Sequence, residues 1–184
     1  MRRDLGVKPV LYPQPVLMIA TYNEDGTPNM MNAAWGGMYD NDKVCISMIE
    51  HRTTANMQAR GAFTVSAAVA EHTAGEDYVG IVSGNEVPDK VSRAGFHVTK
   101  SAHVDAPLID ELPVALECTL DRINEDGCVI GTIVNASVDE AVLDAEGRLD
   151  LNVFHPIVFD PINLTYVGLG KVAGHAFQDG NALK

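Results

Sequence analysis

A histidine, an arginine and two threonines stand in unbroken order at His51-Arg52-Thr53-Thr54, between the apolar run Lys43 to Ile49 and the helix formers Ala55 to Arg60. The pattern reads as a buried strand feeding the first turn of a short helix that Gly61 ends. The leading amides of a helix have no partner within it and carry the positive end of its dipole, so an anion is favoured there. Arg52, and His51 when protonated, add charge. Thr53 and Thr54 add hydroxyl donors that suit phosphate oxygens. The plainer alternative is that Thr53 caps the helix while Arg52 lies in water.

A second segment, Asn29 to Gly37, concentrates amides, small residues and the only tryptophan between two expected strands. Small side chains at Ala33 and Ala34 would let the backbone approach a flat ligand. Asn32 would supply a further donor or acceptor, and Trp35 would pack nearby. A core tryptophan beside a glycine-rich bend fits the same residues. Asp77 to Gly84, with Asp89-Lys90 beyond it, gives another small-residue bend and a cation. Lys90 would reach a phosphate or an electron-rich ring edge, or else sit on the surface as most lysines do.

Other chemistries lack their residues. The chain has no GxGxxG, no GxxxxGK[ST] and no GxSxG, and its scattered histidines show no metal-ligating spacing, so no metal site is expected. Three cysteines without a CxxC suggest neither a disulfide framework nor a zinc site, and Cys45, inside an apolar run, is expected as an inert buried thiol.

The elements that must position these residues are mostly strands. Val16 to Tyr22 runs into the tight-turn sequence Asn23 to Pro28, and Lys43 to Ile49, Ala62 to Val69, Ile157 to Phe159 and Leu164 to Val167 are short and apolar. Pro113 to Ile123 and Cys128 to Val138 flank Asn124-Glu125-Asp126-Gly127 as a hairpin. Helices are expected at 53–60 and 71–81, the second with Tyr78 and Ile81 sharing a face. Six or more closely connected strands with one or two helices argue for a β-barrel or sandwich in one domain of 184 residues. A formal charge of −12 disfavours nucleic acid and anionic membranes as partners. The sequence shows neither a membrane helix nor a targeting segment, and the chain reads as cytoplasmic.

Taken in order, Asp25 to Trp35, His51 to Asn56, Asp77 to Gly84 with Asp89-Lys90, and Tyr166 to Gly170 resemble the flavin reductase-like, FMN-binding split-barrel family, and within it the flavoredoxin group. The resemblance implies a mainly β fold with short helices, a Greek-key-like split β-barrel that forms a homodimer and holds FMN noncovalently near the subunit interface. The FMN phosphate would sit at His51 to Thr54. Asn32, Ala33 and Ala34 would line the isoalloxazine, with Ser47 and Met48 on the neighbouring strand. Ser83, Gly84 and Lys90 would contact the ribityl chain or ring, and Tyr166 would approach from the carboxyl-terminal segment. The implied activity is an FMN-dependent oxidoreductase, without a catalytic acid, that takes hydride from NADH or NADPH and passes electrons to flavin, ferric iron or a redox protein. A pure electron carrier, and a barrel that has lost its flavin and serves in assembly, are the alternatives. The sequence departs from the group at Gly127-Cys128, where similar proteins often carry a histidine.

Overall fold

The structure is a computed structural model that describes residues 1–184. Its strands are β1 (Gln14–Pro15), β2 (Leu17–Tyr22), β3 (Pro28–Ala33), β4 (Gly36–Asp40), β5 (Lys43–Ser47), β6 (Ala62–Ala67), β7 (Val98–Lys100), β8 (Pro107–Ile109), β9 (Val114–Ile123), β10 (Cys128–Val138), β11 (Ile157–Asp160) and β12 (Thr165–Gly168). Four helices intervene: α1 (Arg52–Arg60), α2 (Thr73–Ile81), α3 (Lys90–Arg93) and α4 (Leu151–Phe154). None is long and apolar enough to cross a membrane.

Seven strands form one antiparallel sheet in the order β3-β2-β6-β9-β10-β5-β4. The two edge strands, β3 and β4, are joined in the chain by only Ala34 and Trp35. Two residues span less than about 11 Å even when extended, so the sheet curls until its edges converge at that link. The result is a barrel split along one seam. The hairpin that starts it is set locally, because Asp25 Oδ1 accepts from the Thr27 amide (3.0 Å) and hydroxyl (2.6 Å), an Asx-type turn.

Strand β2 is buried on both faces, which explains its unbroken apolar reading. Ile19 points into the barrel with Val44, Ile46, Phe63, Val65 and Val129, and Met57 of α1 joins them. Met18 and Ala20 point the other way, into a second core with Met30, Val79, Val91, Phe96 and Ile157. That outer core lies beneath α2, α3 and a small sheet ordered β1-β11-β12.

The strands expected at 16–22, 43–49, 62–69, 113–123 and 128–138 all form, with ends shifted by at most two residues. Three readings change. The segment Asn29 to Gly37 does not lie between strands but holds nearly all of β3, the link and the start of β4; its asparagines hide the strand because they bond to helices instead of packing. In α2 it is Glu76 and Val79 that are buried, while Ile81 is 73% exposed. Cys45 and Cys128 are not free thiols but are paired as a disulfide between β5 and β10, with Cα atoms 6.6 Å apart. Residues 83 apart in the chain meet there, and linear spacing carries no trace of a cross-strand register.

Glu76 is 1% exposed. Its Oε1 accepts from the Val69 amide at 2.8 Å, and Oε2 has no partner. Burial, with Glu71 adding like charge, pushes its carboxyl up to about 7. The folded protein therefore holds this proton to higher pH than the unfolded chain does. The stability gained is complete below the ordinary carboxyl value of 4.5 and is lost as pH rises through about 7. Glu76→Gln keeps the acceptor for Val69 and removes the charge, so denaturant unfolding at pH 8 should show a gain of about 2 kcal/mol. At pH 4.5 the variant and the parent should be nearly equal.

Candidate functional site

Helix α1 opens with His51 as its N-cap in extended conformation (φ −138°, ψ 167°). The amides of Arg52 and Thr53 have no partner inside the helix. The two threonine hydroxyls have different tasks. Thr54 Oγ1 turns back onto the cap, accepting from the His51 amide (2.9 Å) and donating to its carbonyl (2.8 Å). Thr53 Oγ1 instead accepts from Asn29 Nδ2 (2.9 Å), which leaves its proton available to a ligand.

Lys90 is 3% exposed, and its ammonium closes the end of α2 by donating to the carbonyls of Val79 (2.8 Å) and Val82 (3.0 Å). This is a buried lysine doing the work of a helix C-terminal cap, not a surface side chain. Burial lowers it to about 8, so it stays mostly protonated at neutral pH. Two of its three protons are engaged and one remains.

These groups meet in a cavity of about 220 Å³ lined by His51, Arg52, Thr53, Ser83, Gly84 and Lys90, with Asn29 and Met31 of β3 as its wall. Farther along β3 a second cavity, about 240 Å³, is lined by Asn32, Ala33, Ala34, Trp35 and Tyr166, together with Val16 and Phe159. The first gathers the cationic and hydroxyl groups beside Val79, Ile81 and Val82. The second is lined mostly by apolar side chains, with an aromatic wall: the Phe159 ring lies 6.3 Å from Trp35 and 6.0 Å from Tyr166. Tyr166 donates to Asp77 Oδ1 at 2.7 Å, and burial with that hydrogen bond pushes its phenol up to about 12, so it acts as a neutral donor.

The two cavities are held in line by amide side chains. Asn32 Nδ2 donates to the Glu76 carbonyl (3.0 Å), tying β3 to α2, as Asn29 ties β3 to α1. Both approaches need glycine opposite. A Cβ on Gly80 would overlap the Asn32 amide, and one on Gly84 would overlap the Asn29 carbonyl oxygen.

Eleven residues singled out from the sequence line these two cavities, and three others do not. Ser47 is exposed, with its amide donating to the Trp35 carbonyl (2.7 Å). The Met48 side chain is buried in the barrel core, and Thr54 is spent on the cap. Phe159 and Val16 were not legible as cavity-lining residues, whereas Gly80 lies within the Asp77 to Gly84 bend. Phe159 reads as one more strand residue, and only the fold sets it beside Trp35.

The model for the flavin reductase like domain matches residues 10–165, so the chain belongs to the flavin reductase-like family. Among solved structures it is similar to the flavoredoxin of Desulfovibrio vulgaris (Miyazaki F), at 34% identity and a TM-score of 0.93, covering 98% of this chain and all of that one. Flavoredoxin from Methanosarcina acetivorans matches over the full length of both chains at 24% identity and a TM-score of 0.87. An FMN-binding domain of a flavin reductase-like enzyme from Shewanella baltica OS155 shares the fold, at 17% identity and a TM-score of 0.78 over 88% of this chain and 89% of that one.

Gly80→Ala tests the packing that aligns the two cavities. The added methyl must displace Asn32 and break its bond to Glu76. A loss of about 1–3 kcal/mol in denaturant unfolding is expected; a neutral result would show that β3 and α2 separate freely.

Proposed function

We propose that the protein binds FMN along β3 and works as an FMN-dependent oxidoreductase of the flavin reductase and flavoredoxin type. The observation that carries this is the polarity of the cleft. One end offers free helix amides, Arg52, the Thr53 hydroxyl and a proton of Lys90; the other is an apolar slot with aromatic walls. A phosphate suits the first and a flat heteroaromatic ring the second. The family and the FMN-binding relative support the same reading.

When bound, FMN supplies the hydride and electron chemistry itself. The chain's part is to hold and tune it. Arg52 and the α1 amides take the phosphate. Asn32 and the backbone of Ala33 and Ala34 face the ring edge, and Lys90 adds positive charge beside the phosphate. NADH or NADPH is the proposed hydride donor, and flavin, ferric iron or a redox protein the acceptor. Trp35, which lines the apolar cavity, and Met38 and Tyr39 of β4 are half or more exposed, and a second copy of the chain is the proposed cover. A cytoplasmic setting fits the supply of nicotinamide donors.

Two observations favour a pure carrier as the second reading. The charge of −12 would attract a basic redox protein, and the flavoredoxin similarity points the same way. Anaerobic mixing separates the two: bleaching of the flavin by NADH or NADPH marks a reductase, and reduction only by a protein donor marks a carrier.

The site itself is tested by titration with FMN. Arg52→Ala should weaken binding by about tenfold or more, the worth of one charge-assisted contact. Affinity should also fall as pH rises through about 8, where Lys90 loses its proton. Binding that is unchanged in Arg52→Ala and flat with pH would move the phosphate elsewhere.

A further inference from the structure

We propose that Cys45 and Cys128 are a reversible dithiol–disulfide couple, and that its state sets how firmly the phosphate corner is held. In the β5–β10 register Cys45 stands opposite Ile130 and Cys128 opposite Ser47, so the two cysteines are diagonal neighbours on one face. Val44, Ile46 and Val129 fill the barrel, so by alternation the sulfurs lie on its outer face, where both residues are half-buried. Gly37 of β4 pairs with Cys45, and its missing side chain leaves open space on that side. An attacking thiolate has a way in. Cys118 is the contrast: it is fully buried, and its thiol is pushed up to about 12.

The couple adjoins the proposed cofactor site through the backbone. Two residues after Cys45, the Ser47 amide donates to the carbonyl of Trp35, which lines the apolar cavity. The Met48 amide donates to Gly127 (3.1 Å), the residue before Cys128. Three residues later His51 caps α1. The disulfide thus clamps the hairpin end of β10 to the exit of β5, the point from which the chain enters the phosphate corner. Opening it leaves the ladder bonds but removes the covalent tie, so the segment from 47 to 51 gains freedom that a ligand must take away again.

Opening and closing need only a small thiol and its disulfide. One thiolate attacks a protein sulfur, the protein S–S bond breaks, and the displaced thiolate takes a proton. A second thiolate then attacks the mixed disulfide and expels the other protein thiolate, which is protonated in turn. Two electrons pass to the protein and one small disulfide leaves; oxidised small thiol reverses both steps.

This inference rests on the FMN reading, and its test keeps the two apart. The full-length protein is equilibrated with reduced or oxidised glutathione, denatured, alkylated and weighed. Three alkylated thiols are expected after reduction and one, Cys118, after oxidation. FMN titration of both forms should give a dissociation constant about three- to tenfold higher in the reduced protein. Cys45→Ser/Cys128→Ser should match the reduced value and no longer respond to glutathione. Three thiols under both conditions, or thiol counts that change while the dissociation constant does not, would overturn the proposal. If neither form binds FMN, the cofactor reading fails, whereas the thiol counts still report on the couple.

Discussion

The constraint on which the rest depends is the two-residue link between β3 and β4. Those strands are the opposite edges of a seven-stranded sheet, yet only Ala34 and Trp35 separate them. The sheet must curl to bring its edges together, and the seam that remains is where the apolar cavity forms, with the link itself as part of its lining. A flat sheet of the same strands would leave Trp35 far from Phe159 and would create no slot.

Strand β3 makes that seam useful. As an edge strand it has no neighbour on one side, and unpaired edges are a hazard unless something covers them. Here Asn29 and Asn32 reach out to α1 and α2. The same two amides that dress the edge also fix where the helix N-terminus and the Lys90-capped helix end stand. Positive charge and free amides collect at one end of the strand, and aromatic surface collects at the other. The contrast between the two cavities follows from the way an edge is covered.

At Glu76 and Lys90 burial, rather than pairing with an opposite charge, sets the electrostatics. Lys90 and Glu76 flank the same helix, both nearly inaccessible, and burial moves each toward its neutral form. Lys90 offsets the cost by bonding to two carbonyls; Glu76 leaves one oxygen unmet. Helix α2 therefore joins a well-satisfied cation at its end to a buried carboxyl with one oxygen unmet.

The sequence by itself determined the mainly β character, the hairpins at Asn23 to Pro28 and Asn124 to Gly127, and the His51 to Thr54 corner. These are local: alternation, turn chemistry and helix-start residues act within a few positions. Only the tertiary structure decided what depends on register and curl. It paired Cys45 with Cys128 across 83 residues, brought Phe159 to the apolar cavity, kept Met48 in the barrel core, and turned Lys90 inward to end α2. It also divided the labour of two adjacent threonines, because which hydroxyl is free depends on whether Asn29 or His51 reaches it first. Those outcomes follow from where distant strands lie, and no spacing along the chain encodes that.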